Sequence, residues 1–285
     1  MIAVLNLGRC DYATALKLQE TLVELRKQDR IPNVLLFVEH SPVITLGRNA
    51  KESNIIAPRE FLAARGVEVH EINRGGDVTF HGPGQLVAYP IFDLRSFEPK
   101  LGAIAYVRQL EEVLMRICAQ YGIETQRIAG MTGVWTYAET PPRINSRPMN
   151  RDYVPAVDEP EAGAKGNTAA YSERKLAAIG VHISRGVTSH GFALNVTTAL
   201  EFFQLIVPCG LTKPVTSIEF ETGHSPSLDE VMTLASRIFG ELFHSQMLWL
   251  ESIHDLIPND AAPQDTPARA PKDERRIARD DLHLA

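Results

Sequence analysis

The stretch RGGDVTFHGPGQLVAYP, Arg74 to Pro90, sets four glycines, an arginine and a histidine inside otherwise alternating apolar sequence. Glycine accepts positive φ and lets a second backbone come close, while Arg74 and His81 bring a fixed cation and a titratable ring. The stretch therefore reads as a ligand-facing loop that presents backbone N–H groups. A glycine-rich hairpin with a bulge fits the same composition. Three cysteines, Cys10, Cys118 and Cys209, offer a thiol, and their odd number without CxxC spacing argues against a disulfide framework and a structural zinc. A cysteine after a proline, as at Cys209, is also how a small buried hydrophobe looks, and a lysine opening a strand, as at Lys175, how a solvated charge looks. His190, before Gly191, invites a Cys–His dyad and hence a cysteine hydrolase, but no protease-like context surrounds Cys209. Cys10 reads as part of an early loop and Cys118 as part of a helix face, both structural. His40, in the EHSP turn, either shapes a pocket or caps its turn.

The elements that must position these groups alternate between short strand patterns and amphipathic helices. MIAVLNL reads as a strand, and Asp11 caps a helix in which Tyr12, Ala15, Leu16, Leu22 and Val23 recur at helical spacing. NVLLFVEH is a buried strand that turns through HSP into VITLG. Pro58 to Arg65 is a short helix closed by Gly66, and VEVHEI alternates as a strand. LVAYPIFDL follows as another. Ala103 to Tyr121 is a long helix stopped by Gly122, after which GVWTYA, KLAAIGVHIS and GFALNV are strands. Ser227 and Glu230 form a capping box for a helix running to about Met247. Glu139 to Ser172 holds five prolines and no apolar periodicity, which marks an insertion. Pro258 to Ala285 is charged, Pro/Ala-rich and aromatic-free, the composition of a disordered tail.

With 44% apolar and 22% charged residues the chain has ordinary globular composition and can bury a sizeable core. Its net charge of −6 points to neither nucleic acid nor an anionic membrane as partner. MIAVLNLGRC has no basic leader, and no apolar run approaches the ~18 residues of a membrane span. The expectation is a soluble, unprocessed protein of the reducing cytoplasm.

Arg-Gly-Gly, two residues, then Thr79, Phe80 and His81, followed by Gly84, Gln85 and Tyr89, resembles the signature of the lipoyl(octanoyl) transferases. These enzymes move an octanoyl group from acyl carrier protein to a lysine of a lipoyl domain. Three further stretches agree in order: EHSPVITLGR at 39–48, KLAAIGVHISRGVTSHGFALNV at 175–196 and PCGL at 208–211. The resemblance implies an α+β, biotin/lipoate ligase-like catalytic domain over residues 1–257, with a central mixed sheet flanked by helices. The 139–172 insertion is longer than the family leads one to expect, and the 258–285 tail lies outside the match. It implies the first step of endogenous lipoate biosynthesis, with octanoyl-acyl carrier protein as donor. The acceptors would be lipoyl domains of 2-oxoacid dehydrogenases and the glycine cleavage H protein, and neither cofactor nor metal is needed. The family's nucleophile, in a Pro-Cys-Gly context, falls on Cys209, and its lysine, opening K-[apolar]-A-x-[apolar]-G, falls on Lys175. Substrate-lining positions fall on Arg74, Gly75, Gly76, Asp77, Val78, Thr79, Phe80 and His81, on Ala178, Ile179 and Gly180, and on Gly191, Phe192 and Ala193, with the glycine loop as one wall of an acyl pocket.

Thiol and amine suit such a reaction. With ordinary pKa values of about 8.5 and about 10.4, a neighbouring pair keeps its proton on nitrogen, giving thiolate and ammonium. The thiolate attacks a thioester, the ammonium protonates the departing thiol, and the neutral amine later accepts a proton from the attacking lysine. Backbone N–H groups near Ala178 to Gly180 would stabilise the oxyanion. An ATP-dependent lipoate or biotin ligase of the same fold would need no nucleophilic cysteine, and a silent lipoyl-binding relative would need neither residue. The insertion carries Arg143, Arg147 and Arg151, a basic contact for an acidic carrier protein on an otherwise acidic chain. Replacing all three by Ser should raise the KM for a carrier-bound donor and spare a small octanoyl thioester; steady-state kinetics with both donors check this, and equal effects on the two would contradict it.

Overall fold

The computed structural model describes residues 1–137, 173–207 and 213–257. The 139–172 insertion with its three arginines, the 258–285 tail, and Cys209 with its PCGL context all lie outside the described residues. Among the described residues no helix is long and apolar enough to cross a membrane.

β1 (Ile2–Cys10) and β2 (Asn33–His40) carry continuous apolar runs at 2–5 and 34–38 because there each is covered on both faces, and they pair in parallel across α1 (Tyr12–Lys27). Asp11 caps α1 by accepting from the Thr14 N–H at 2.8 Å. Cys10 closes β1 instead of sitting in a loop. β3 (Val43–Leu46), α2 (Arg59–Ala64) and β4 (Glu68–Glu71) follow, then β5 (Val78–His81) and β6 (Gln85–Ile91). α3 (Ala103–Gln120) leads into β7 (Thr125–Ile128) and β8 (Met131–Thr136). β9 (Lys175–Ser184), β10 (Val187–Asn195), α4 (Ile218–Thr222), α5 (Leu228–Leu242) and β11 (Met247–Trp249) complete the order.

Eight strands form one mixed sheet in the order β11-β1-β2-β6-β10-β9-β8-β7, and β4-β3-β5 form a small second sheet. On one face α3 and α5 bury the main core around Phe92, Tyr106 and Phe239; on the other α1 packs over β1, β2 and β6. The small sheet keeps its own core around Ile44, Val78 and Phe80. This is the α+β architecture expected, a central mixed sheet flanked by helices. The Arg74–Pro90 stretch is no hairpin: β5 belongs to the small sheet and β6 to the large one, so the turn at residues 82–84 carries the chain between sheets.

Three differences from sequence expectation have local causes. α5 stops at Leu242, and Met247 instead opens β11, an edge strand parallel to β1, after the chain reverses at His244 with φ 48°. Only half of the capping box forms, with Ser227 accepting from the Glu230 N–H at 3.2 Å while the Glu230 carboxylate accepts from Tyr121 Oη at 3.1 Å. β7 and α4, of 4 and 5 residues, are too short to show a period.

Where the sheets meet, the loop before β5 lies against β9: the Gly75 N–H donates to Val181 O at 3.0 Å. A Cβ on Gly180 would stand 2.8 Å from Gly75 O and 3.0 Å from Arg74 Cδ. Gly180→Val must therefore push the two backbones apart, and should destabilise the fold by about 1–3 kcal/mol, seen as a lower urea midpoint at unchanged slope. An unchanged midpoint would contradict the close approach.

Candidate active site

Between the small sheet and the β9–β10 hairpin lies a cleft. Arg74, Gly76, Asp77, Val78, Thr79 and His81 line one side. Ala178, Ile179 and Gly180 line it from β9, and Gly191, Phe192 and Ala193 from β10. Lys175, the first residue of β9, also lines it. Two residues expected there do not. Phe80 is buried in the small core, stacked on Phe202 at 4.8 Å between centroids, and Gly75 serves as backbone contact behind the lining.

Arg74 acts as a brace. Its Nη2 donates to Thr45 O at 2.8 Å and Thr45 Oγ1 at 3.0 Å, and its Nη1 donates to Gly75 O at 2.9 Å, so it ties β3 to the glycine loop. Asp77 is likewise a loop fastener, accepting from Asn54 Nδ2 and from the Val78 N–H, each at 2.7 Å.

The histidines are fixed and neutral. His81 Nδ1 donates to Gln85 Oε1 at 2.7 Å, because the Gln85 amide nitrogen already donates to Asn195 Oδ1 at 2.9 Å. Asn195 Nδ2 donates to Thr216 O, and the Thr216 N–H donates to Lys175 O, both at 2.9 Å, so one relay joins the His81 ring to the backbone of Lys175. His40 Nδ1 donates to Cys10 O at 2.9 Å, and its Nε2 accepts from Tyr89 Oη at 2.7 Å. His190, with φ 55°, donates from Nε2 to Asn73 Oδ1 at 2.7 Å, and its backbone N–H donates to Gln19 Oε1 at 3.0 Å. Burial holds His40 down to about 4; burial, with His40 next, holds His81 down to about 3; burial, with Arg74 next, holds His190 down to about 3. Burial pushes the Cys10 thiol up to about 11 and the Cys118 thiol up to about 12, which suits structural cysteines.

While Asn54 anchors the chain before the cysteine segment, Lys175 anchors the chain after it. Its N–H donates to Pro214 O at 2.8 Å, and the Val207 N–H donates to Asn54 O at 2.7 Å. Sequence reasoning did not assign Tyr12, Gln85, Asn195, Phe203 or Val215, which also line the cleft. Gln85 and Asn195 stand inside stretches that carry the family resemblance, so a signal existed for them; Tyr12, Phe203 and Val215 reach the cleft from separate elements.

Because the three histidines are neutral in the fold and ordinary at 6.5 when unfolded, the unfolded chain takes up protons that the native chain refuses as pH falls below about 6.5. Stability should drop between pH 7 and 5 by the order of 1–2 kcal/mol per histidine, above the range where carboxylates titrate. Thermal unfolding across that window checks this, and a constant Tm would contradict it.

The model of the family described as "Lipoyl protein ligase A/B catalytic domain" matches residues 11–240. The chain is 57% identical over 285 residues, the whole of both chains, to an octanoyltransferase of Koribacter versatilis. It is 52% identical over 266 residues to one of Acidobacterium capsulatum, covering 90% of this chain and 96% of that protein. Among solved structures it is similar to a lipoate-protein ligase A bound with ATP, at TM-score 0.59 and 15% identity over 92% of this chain and 91% of the other. A bipartite lipoate protein ligase from Thermoplasma acidophilum, described with its E2 lipoyl domain, aligns at TM-score 0.60 and 14% identity over 88% of each chain. These structures share the fold that frames the cleft, while the full-length identity is to octanoyltransferases; the chain belongs to the lipoyl protein ligase A/B catalytic-domain family, as an acyltransferase of the octanoyltransferase type.

Proposed function

We propose that the chain transfers an octanoyl group from octanoyl-acyl carrier protein to the lysine of a lipoyl domain through a thioester on Cys209, as the first step of endogenous lipoate synthesis in the cytoplasm. The acceptors are lipoyl domains of 2-oxoacid dehydrogenases and the glycine cleavage H protein. Residues 1–257, apart from the 139–172 insertion, act as one catalytic domain, and the 258–285 tail lies outside it. One observation carries the reading. Lys175 lines the cleft and its N–H holds Pro214, so the chain that follows Cys209 is fastened to the residue that must serve it. The chain before Cys209 is fastened at Val207.

In the first half-reaction the Cys209 thiolate attacks the donor thioester carbonyl. The old C–S bond breaks, and the departing phosphopantetheine thiolate takes a proton from the Lys175 ammonium. In the second, the lipoyl lysine amine attacks the acyl-cysteine; Lys175, now neutral, takes the surplus proton as the Cys209 thiolate leaves. Thioester to amide runs downhill, so no ATP or cofactor enters. Val181 O accepts from Gly75 on the side of β9 away from β10, and by the two-residue period of a strand the Ile179 N–H points the same way. That supports Ile179 as a donor to the oxyanion. Arg74 to His81, Ala178 to Gly180 and Gly191 to Ala193 then form the acyl wall, Gly75 and Phe80 by supporting it from behind. Chain length is sensed by depth at about 0.8 kcal/mol per methylene.

Mixed with octanoyl-acyl carrier protein and no ATP, the protein should gain one octanoyl mass, removable by neutral hydroxylamine, and Cys209→Ala should gain none. Lys175→Arg keeps a positive charge beside the thiolate but cannot act as base, so it should acylate and then fail to pass the group to a lipoyl domain. Intact-mass spectrometry reads both steps. A Cys209→Ala protein that transfers at the wild-type rate would overturn the covalent route.

A further inference from the structure

β8 and β9 meet at a bulge. Val134 pairs with Ala177, but the next rung joins Trp135 to Lys175, so Leu176 is the extra residue and Lys175 stands where an unbroken ladder would have put Leu176. Bulges re-aim the side chains beside them. Here the result is Lys175 Nζ 5.0 Å from the centroid of the Trp135 ring. The ring is held: it is 1% exposed, and its Nε1 donates to Met131 O at 3.2 Å. Gly133, with φ 125°, leaves room for the lysine stem, since a Cβ there would stand 2.9 Å from Lys175 Cε and 2.5 Å from Ala177 O. On the other edge the lysine backbone is clamped by Pro214 O and the Thr216 N–H. The preceding residue is fixed as well, because Arg174 Nε and Nη2 donate to the Glu221 carboxylate at 2.7 and 2.9 Å, and Thr216 Oγ1 donates to the same group.

We infer that Trp135 is a positioning residue for Lys175, its ring face holding the ammonium in a cradle that Gly133 opens. The inference rests on the assignment of Lys175 as the acid–base group. An ammonium entering a half-buried cleft gives up water, and the negative face of an indole replaces part of that stabilisation. A ring face attracts the whole cation instead of taking one N–H in a directed bond, so it positions the ammonium without dictating which N–H is passed on. A carboxylate in the same place would take a proton contact and hold back the neutral amine that the second half-reaction needs. The cradle thus fixes where the proton is delivered while leaving it deliverable.

The test separates contact from catalysis. Trp249, on the exposed edge strand β11, is the second of the two tryptophans, so Trp249→Phe leaves Trp135 as the single indole. In that background Lys175→Met removes the cation and keeps the stem. The Trp135 emission maximum should shift; an unchanged spectrum overturns the cradle, whatever the activity. In octanoyl transfer from octanoyl-acyl carrier protein to a lipoyl domain, Trp135→Leu should lower kcat roughly 5- to 30-fold at unchanged donor KM. Trp135→Phe loses the same Nε1 bond but keeps a ring face, and should recover most of that loss. Equal losses in Phe and Leu overturn the proposal, and the spectral test stands even if either variant fails to fold. If Lys175→Met still transfers octanoate at the wild-type rate while the emission shifts, the assignment of Lys175 fails although the contact is real; if Lys175→Met is inactive and the emission is unmoved, the cradle alone fails.

Discussion

Everything in this cleft depends on two backbones being allowed to touch. The loop at Arg74 to Gly76 belongs to the small sheet and β9 to the large one, and they are joined by the Gly75 N–H to Val181 O bond across a gap that leaves no space for a side chain on Gly180. Arg74 secures the joint. A buried guanidinium is expensive unless its donors are satisfied, and here Thr45 and Gly75 supply the acceptors. The sheets are thereby held at one spacing, and the cleft is the space that remains.

That joint also sets the electrostatics. Deep burial of all three rings, with Arg74 adding to it at His190, keeps them uncharged, and each is locked in one tautomer by a carbonyl or amide partner. In the lining the side chains of Arg74, His81, Gln85 and Asn195 are paired with other groups of the protein, and Lys175 stands at the start of β9. The relay from His81 through Gln85, Asn195 and Thr216 ends on the Lys175 backbone, so hydrogen bonds tie pocket wall to lysine. Lipoate ligases share this frame at 14–15% identity, which shows the fold without its chemistry; chemistry belongs to the site built on a fold, not to the fold.

The sequence by itself determined the elements with a strong period or a clear stop. α1 begins at Asp11, β9 begins at Lys175, and Gly66 and Gly122, both at positive φ, follow helices just where they were expected. It also determined the signature stretch as special, because four glycines within a strand pattern have to mean turns or close approach, and both occur. Tertiary structure decided the rest. Whether the stretch was a hairpin or a crossing between sheets depended on β5 pairing with β3 and β6 with β2 and β10, contacts made by residues distant in the chain. Phe80 and Thr79 are neighbours in the signature, yet the period of two in a strand sends one into a core and the other to the cleft. The Trp135 ring meets Lys175 only because a bulge shifts one ladder by a residue, and a one-residue shift leaves no trace in composition or spacing.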